Sequence, residues 1–507
     1  MRNCIRINRR GTGLRYGKIL EDQYATFKGA ETELSERILC VESNWKRTAM
    51  QLDFLLQIWQ TLDEEHQNIQ SQILRVLVSK LETAISQLKR VQRKKRDNGS
   101  DDEKKAVGIK RWKYVLVKEC LDKAIQDLEA WQKMFDPSWF LIMKVGNPLI
   151  DQELAKKGDR AEATSMCTAK KLRDSLKEEP PIRTSVFLPE DGLTSAIRYD
   201  IPFSTAQAMQ RTTSDKWLIV DTVACDPEAN ISILTKDVRD LATKLSRTDA
   251  LAFGLLNCRG VVKVTDPGSK KVASFNFVFT IPEGLEKPQS LRSILISAND
   301  NLSLSDRFRV AQQLATSVSY IHTYGFVHKS IRPETILIFH NQKSPLGASF
   351  LLGFEKFRLA DGRTMRSGDC AWEKDLYRHP RRQGLKPEED YTMQHDIYSL
   401  GVCLLEIGLW ESFVIYDKGT DPSPSPVLPV IYDPEKDEIK KAFLVKDALV
   451  DLAKQRLPSR MGEKYTEIVV ACLTCLHKSN TDFGDDSEFE DADGVLIGVR
   501  YIEKVCH

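Results

Sequence analysis

The stretch that decides the interpretation of this chain is Val327-His328-Lys329-Ser330-Ile331-Arg332-Pro333-Glu334-Thr335-Ile336-Leu337. It follows an amphipathic segment, Leu304 to Tyr324, whose apolar spacing predicts a helix. The apolar run that comes next, Ile336 to Phe339, predicts a buried strand. The loop therefore places charged and hydroxyl side chains between two elements of a folded core, and it is the first candidate for a functional site.

This arrangement resembles the catalytic loop of protein kinases, whose pattern is H-R-D-L-x-x-x-N. In that family the aspartate accepts the proton of the substrate hydroxyl and the asparagine holds a metal ion. Here Ser330 stands at the aspartate position and Thr335 at the asparagine position, while His328 and Arg332 remain as framework residues. An unassisted hydroxyl does not usefully accept a proton near neutral pH. The resemblance thus implies a loop that keeps its frame and lacks its chemical groups.

The segment Leu351-Leu352-Gly353-Phe354-Glu355 occupies the place of the family's D-F-G motif, whose aspartate binds magnesium. Gly353 replaces the metal ligand and Glu355 replaces the glycine, while Phe354 remains to pack in the core. We expect Glu355 to be a surface or salt-bridged residue. The alternative is that its carboxylate reaches a cation.

The run from Tyr391 to Glu406 closely resembles the kinase helix whose aspartate hydrogen-bonds the backbone of the catalytic loop. The resemblance lies in the joint register of Asp396, Ser399, Gly401 and Glu406. A buried carboxylate that accepts such bonds stabilises a fold by roughly 1.5–3 kcal/mol per bond. We therefore expect a structural core of the kinase-like fold built from the following residues: His328, Arg332, Phe354, Asp396 and Gly401.

A strand, a helix and two further strands are predicted upstream, at Trp217 to Val220, Ile231 to Leu245, Gly260 to Val264 and Phe275 to Phe279. This order resembles the small lobe of a protein kinase. That lobe binds phosphates through a glycine-rich loop and a strand lysine, which a helix glutamate holds in place.

None of these three groups is found in the sequence. Gly192 is the only glycine between Pro181 and Lys216, the run 218–223 contains no lysine, and the run 231–247 contains no glutamate. The segment Thr280 to Leu285 resembles the hinge, where backbone groups meet a purine and side-chain identity matters little. We therefore expect no metal and no cofactor, while binding of ATP without magnesium stays open.

The first third of the chain predicts helices, since apolar residues recur every three or four positions from Ile69 to Val91 and again from Trp112 to Trp131. Helices with one apolar stripe bury it against each other, which gives a bundle. The helix order and the phrase Ile109-Lys110-Arg111-Trp112-Lys113-Tyr114 resemble the fungal HeLo-type bundle, the prion-inhibition and propagation family. That bundle is related to the one in the necroptosis pseudokinase.

A cluster of basic side chains lies at the end of one predicted helix. Its members are Lys89, Arg90, Arg93, Lys94, Lys95 and Arg96. The favoured interpretation is a solvated helix end, because positive charge complements the macrodipole there. The alternatives are contact with anionic membranes and a nuclear-import or nucleic-acid patch.

Composition limits the class of protein. The formal net charge is +2 over 507 residues, so we expect no nucleic-acid partner. The 11 cysteines lack framework spacing, which favours a reducing, cytoplasmic location, with recruitment to membranes as a second expectation. The arginine-rich start, 1–18, is interpreted as a basic tail, with a targeting segment as the alternative.

These observations predict an α+β protein, with an N-terminal α-helical bundle followed by a two-lobed protein kinase-like fold. The predicted domains are the bundle with its basic tail (1–146), a connector (147–180), a small lobe (181–299) and a large lobe (300–507). The expected function is a signalling scaffold or switch without phosphotransfer, in which the kinase-like domain controls the bundle. Its expected partners are proteins, with self-association through the bundle. The alternatives are a weakly active protein kinase with a displaced catalytic set and a membrane-acting bundle.

Overall fold

The structure is a computed structural model of the 507-residue chain. It describes the following residues: 14–19, 32–93, 116, 118–128, 131–132, 135, 142–143, 148–158, 169–170, 173, 185–189, 196–211, 216–225, 230–297, 302–341, 344–355, 357–359, 371–385, 387–416, 421–428, 437–477 and 480. The chain divides into two compact units, Met1–Asp174 and Ser175–His507. Helices and sheets are both present, so the fold is of the α+β class.

The N-terminal unit is helical where it is described. Its helices are α1 (Thr32–Ile58), α2 (Glu64–Arg93) and α3 (Pro148–Gly158), and residues 118–128 are helical as well. Trp131 is fully buried, and its indole N–H donates to the carbonyl oxygen of Ile73 on α2 at 3.0 Å. The amide of Gln132 donates to the carbonyl oxygen of Asn44 on α1, also at 3.0 Å. These two bonds join residues 131–132 to α1 and α2.

The segment predicted as a connector, 147–180, differs from that expectation in its first part. Pro148–Gly158 is helix α3, and Ile150 and Leu154 are buried on it. The Arg173 guanidinium donates to the Asp151 carboxylate at 2.7 and 2.9 Å and to the carbonyl oxygen of Met143 at 2.7 Å. This part of the chain packs within the N-terminal unit. Its polar composition hid the two buried positions, which are four residues apart.

The second unit begins with a six-stranded sheet, here called the sheet region (185–290). Its strands are β1 (Phe187–Leu188), β2 (Ala196–Asp200), β3 (Gln207–Arg211), β4 (Trp217–Ala224), β5 (Asn257–Thr265) and β6 (Val272–Thr280), in the order β1-β5-β6-β4-β3-β2. All neighbours are antiparallel except β1 and β5. Helices α4 (Ile231–Leu245) and α5 (Ala250–Phe253) connect β4 to β5. The Asn230 side chain starts α4 by accepting from the N–H groups of Ser232 and Ile233.

The rest of the second unit is mainly helical and is called the helical region (291–480). Its helices are α6 (Leu291–Ile296), α7 (Leu304–Thr323), α8 (Trp372–Asp375), α9 (Met393–Leu409), α10 (Glu438–Met461) and α11 (Glu463–Leu473). Its strands are β8 (Phe326–Val327), β9 (Ile336–Asn341), β10 (Ser344–Leu351), β11 (Arg358–Leu359), β12 (Val414–Tyr416) and β13 (Pro422–Pro424). Strand β7 (Glu286–Ser290), at the end of the sheet region, pairs with β9.

Helix α9 forms the core of the helical region, because all of its 17 residues are buried. Gly401 permits close packing there, since a Cβ at this position would lie 2.8 Å from the Cβ of Cys472 on α11. Among the described helices of both units, none is long and apolar enough to cross a membrane.

Candidate functional site

One carboxylate on α9, that of Asp396, holds the backbone of the loop between β8 and β9. Asp396 is fully buried, and its oxygens accept from the N–H groups of His328 (2.7 Å) and Lys329 (2.9 Å) and from the hydroxyl of Tyr391 (2.7 Å). The imidazole of His322 lies 3.0 Å from the same carboxylate. Burial opposes the charged form of Asp396, but the hydrogen bond and charge of His322 outweigh it and lower the pKa of this carboxyl. These contacts fix the backbone of the loop.

His328 joins the loop to the segment 351–355. Its Nδ1 accepts from the N–H of Ser330 at 3.3 Å, and its Nε2 lies 2.9 Å from the carbonyl oxygen of Leu352. Both contacts suit a neutral ring that carries its proton on Nε2. Burial lowers the pKa of His328 to about 4. This histidine is therefore a structural link and not a proton acceptor for a substrate.

Ser330, at the position of the family's proton acceptor, is engaged by a neighbouring cation. Ser330 and Arg332 are both buried, and the guanidinium donates to the Ser330 hydroxyl oxygen. The same guanidinium donates to the Glu355 carboxylate at 2.7 Å and lies 3.7 Å from Glu334. Glu355 is thus the salt-bridged residue expected from the sequence. A carboxylate already paired with arginine is a weak ligand for a second cation.

Thr335 closes the loop on itself. Its hydroxyl oxygen accepts from the N–H of Arg332 at 3.2 Å and lies 2.8 Å from the carbonyl oxygen of Ser330. Its methyl group fills the space beside Gly353, because a Cβ on Gly353 would lie 2.2 Å from the Thr335 Cγ2 atom. Gly353 also has a φ of +79°, which side chains rarely adopt. A carboxylate side chain at position 353 would clash with Thr335 and strain the backbone.

Sequence reasoning missed Asp221, a carboxylate in β4. By its place in the order of elements, this strand resembles the one that carries the phosphate-binding lysine in protein kinases. One Asp221 oxygen accepts from the N–H groups of Gly353 (2.9 Å) and Phe354 (3.0 Å), while the other has no hydrogen-bond partner. Burial raises the pKa of Asp221 to about 6, although the two N–H groups act in the opposite direction. This carboxylate ties the sheet region to the 353–354 turn.

The ring of Phe354 fills the space between the two regions. It is buried and lies 5.0 Å from His328, 6.2 Å from Phe277 and 6.5 Å from Phe279, measured between ring centroids. Offset and tilted aromatic contacts of this kind add to the burial of apolar surface. Phe354 therefore has the core position that the sequence suggests for it.

Two further segments of the sheet region are the turn between β2 and β3 and the segment predicted as the hinge. The turn between β2 and β3, residues 201–206, contains no glycine. Phe203 in this turn adopts a φ of +55°, and its ring centroid lies 4.7 Å from that of Tyr416. In the segment 280–285, predicted as the hinge, Pro282 has no N–H, and its carbonyl oxygen accepts from the Leu285 N–H at 3.3 Å. This bond engages one carbonyl oxygen and one N–H of the segment predicted as the hinge.

A second interaction network that the sequence did not reveal surrounds Arg292 on α6. Its side chain is fully buried and donates to Glu406 (2.7 Å), Glu334 (2.8 Å) and the Tyr377 hydroxyl oxygen. The Tyr377 hydroxyl in turn donates to Glu406 at 2.7 Å. Burial raises the pKa of Glu406, and the positive charge of Arg292 counteracts this effect. The network connects Glu334, in the loop of the candidate site, to α9.

The basic cluster predicted at the end of a helix lies mostly outside the described residues. Helix α2 ends at Arg93, so Lys94, Lys95 and Arg96 are outside the description, as are the side chains of Lys89, Arg90 and Arg93. In the described part of the chain, no group of three or more histidine, cysteine or carboxylate side chains is arranged to hold a metal ion.

The position of Asp221 leads to a test of its role. The carboxyl is protonated more readily in the folded chain than in the unfolded one, so it adds stability at low pH that is lost as pH rises through about 6. We expect the free energy of unfolding of Asp221→Asn, relative to wild type, to rise by about 1.4 kcal/mol between pH 5 and 7.5, which is a tenfold change in the equilibrium constant. Urea unfolding at both pH values measures it. Asp240→Asn, at a half-exposed position on α4, is the control, and an identical pH response of the two variants would contradict the prediction.

Comparison with known proteins places the similarity in the second unit. The family described as protein tyrosine and serine/threonine kinase matches residues 276–412. A serine/threonine-protein kinase-like protein of Arabidopsis thaliana is 32% identical over 125 residues, which are 24% of this chain and 33% of that protein. A probable serine/threonine-protein kinase of Dictyostelium discoideum is 29% identical over 120 residues, 22% of this chain and 6% of that protein. The eIF-2-alpha kinase of Schizosaccharomyces pombe is 27% identical over 130 residues, 23% of this chain and 8% of that protein.

The chain therefore spans a third of the plant protein and less than a tenth of the other two. The matched region includes the loop 328–335, the 353–354 turn and α9, and it begins after β4 and Asp221. From this similarity and the α+β architecture, the chain contains a protein kinase-like domain with weak homology to serine/threonine kinases.

Proposed function

We propose that the protein is a signalling scaffold or switch whose kinase-like domain does not transfer phosphate. The observation that carries the proposal is the state of the three positions where protein kinases need a proton acceptor and two metal ligands. The Ser330 hydroxyl accepts a hydrogen bond from Arg332, and the Thr335 hydroxyl donates one to the carbonyl oxygen of Ser330. Gly353 lies against the Thr335 methyl group. Loss of general acid–base catalysis alone costs about 10²–10⁴ in rate. Loss of metal coordination removes several kcal/mol more.

The surroundings of these positions support the same proposal. Asp221 contributes a negative charge where phosphates need a positive one, and like charges at short distance cost several kcal/mol. The donor set of the site does not suit a magnesium–nucleotide complex. The carboxylates of the loop and of the neighbouring turn, Glu334 and Glu355, are each paired with arginine. We accordingly propose that the domain takes no magnesium and no obligatory cofactor.

Nucleotide binding is the direct test. A ligand present at 100 times its dissociation constant stabilises a protein by about 2.7 kcal/mol, which raises the unfolding midpoint by several degrees. We expect no such shift for the full-length chain with millimolar ATP, with or without magnesium. A magnesium-dependent shift, together with radiolabelled phosphate transfer that disappears in Glu355→Gln, would establish a weakly active protein kinase and overturn the proposal. Ser459→Ala, at an exposed surface position on α10, controls for substitution as such.

The N-terminal helices are the module that we propose the kinase-like domain controls. The separation into two compact units supports such a layout, and the resemblance to HeLo-type bundles suggests an effector or oligomerisation role in signalling of the incompatibility or cell-death type. The second candidate is a bundle that acts on membranes. Flotation of the full chain with anionic liposomes, before and after replacing the cluster Lys89–Arg96 by alanines, separates these two roles.

A further inference from the structure

A groove of about 620 Å³ lies on the helical region and shares no lining residue with the candidate site. One wall is formed by α8 and the turn 380–388, and the other by the first three turns of α10. We call it the α10 groove. Its volume falls in the range of sites that bind ligands or side chains of a partner.

The floor of the α10 groove is apolar and its rim exposes two large apolar side chains. Leu376, Leu428 and Ala442 are buried in the floor. On the rim, Trp372 is 37% exposed and Leu385 is 64% exposed. Removal of apolar surface from water favours binding, so the groove offers a partner an apolar contact.

The wall that presents Leu385 is fixed before any partner binds. The Gln383 amide donates to the carbonyl oxygens of Asp375 and Arg378, both at 2.8 Å. The Glu388 N–H donates to the carbonyl oxygen of Arg381 at 3.0 Å and closes the turn around Leu385. A partner therefore does not have to order this segment, and preorganisation of this kind improves affinity.

The charges around the groove select the class of partner. Asp375 is paired with Arg378, and Arg381 with Glu389. The remaining charged lining residues are three carboxylates and one lysine: Glu388, Asp437, Glu438 and Lys441. Asp437 and Glu438 also complement the dipole at the start of α10, but that role does not account for the exposed rim. The described lining residues thus carry a negative excess that a basic partner would complement.

From these features we propose that the α10 groove binds an amphipathic helix of a protein partner, with leucine-type anchors on one face and lysine or arginine beside them. The α10 wall from Asp437 to Ala448 is about 17 Å long at 1.5 Å per residue, which matches about three turns of such a helix. The proposal rests on the proposed scaffold function. It does not depend on the nucleotide result, because the groove and the candidate site have no residue in common.

Two labelled peptides of equal length test the proposal by fluorescence anisotropy with the full-length protein. Both carry leucines at i, i+3, i+4 and i+7, and their polar faces carry lysine in one and glutamate in the other. We expect the lysine peptide to bind at least about tenfold more tightly, with an affinity that falls as salt is added. We expect Leu385→Asp to weaken it by about tenfold or more.

Leu251→Asp is the matched control, since Leu251 is 61% exposed on α5 and does not line the groove. It should bind the lysine peptide as wild type does. Ala442→Trp, which fills the floor, gives a second variant should Leu385→Asp lower the unfolding midpoint. Equal binding of both peptides, or equal binding by the Leu385 and Leu251 variants, would overturn the proposal. So would a dimer of the chain that dissociates in Leu385→Asp, because the occupant would then be a second copy.

Discussion

Replacing Arg292 with alanine is expected to lower the free energy of unfolding by about 3–5 kcal/mol, among the largest effects of a single substitution in this protein. The guanidinium is fully buried and contacts Glu406, which is itself fully buried, and Glu334. Removing it leaves Glu406 without its cation in a place that water does not reach, while Glu334 keeps Arg332 at 3.7 Å. The cost arises mainly from that uncompensated charge and only partly from lost packing. Urea unfolding of the full-length chain at pH 7 measures it.

Arg456→Ala is the matched control. Arg456 donates twice to one carboxylate, Glu411, at 2.6 and 3.0 Å, but the two side chains are 33% and 26% exposed. Solvent screens such a pair, and Glu411 keeps a second arginine, Arg460, at 2.9 Å. We expect a loss below about 1 kcal/mol. Similar losses for the two alanine variants would show that burial does not set the strength of the Arg292 network.

A second variant separates charge from packing at the same site. Arg292→Met combined with Glu406→Gln removes both the cation and one stranded carboxylate while keeping similar volumes. We expect this double variant to be more stable than Arg292→Met alone, because a buried neutral amide costs less than a buried unpaired charge. If the second substitution instead deepens the loss, then the hydrogen bonds that Glu406 accepts from the Tyr377 hydroxyl and the Phe413 N–H, and not its charge, dominate the network.

The networks around Arg292 and Asp221 also show what could not be predicted from the sequence. The helix at Ile231–Leu245 was predicted to the residue, and the predicted strands lie within β4, β5 and β6, because apolar spacing reports local structure directly. Pairs such as Arg292 with Glu406 are 114 positions apart, and no local pattern encodes them. The hairpin of β2 and β3 was missed because most side chains of β2 are exposed and the pattern of apolar residues is weak.

In the candidate site, the sequence was sufficient to locate the motif positions, but it did not reveal which side chains contact them. Resemblance to a known loop identified Ser330, Thr335 and Gly353, since these are fixed spacings along the chain. The bond from Arg332 to Ser330 and the crowding of Gly353 depend on the fold. One signal for Asp221 was available: a single carboxylate inside the apolar run 218–223, on a strand that the sequence predicts to be buried.

The largest cumulative effect is expected from acid, because three histidines are buried in neutral form. Burial, assisted by neighbouring cations at two of them, lowers the pKa of His328 to about 4 and those of His379 and His395 to about 3. In the unfolded chain each of these histidines binds a proton near pH 6.5. In the folded chain each binds its proton only near pH 4 or 3. Stability is therefore fully present above about pH 6.5 and is lost as pH falls towards 4.

The slope of the free energy of unfolding against pH gives the number of protons that the chain binds on unfolding. Each histidine contributes about 1.4 kcal/mol per pH unit between pH 6 and 5, so three give about 4 kcal/mol per unit. Asp221, whose pKa is raised to about 6, contributes with the opposite sign and reduces the slope towards two protons. We expect His379→Asn to reduce the slope by one proton and Asp221→Asn to increase it. Ser459→Ala, at an exposed position on α10 and without a titrating group, controls for substitution as such. A wild-type slope near zero over this range would contradict neutral burial of the histidines, since titration in both states would then be the same.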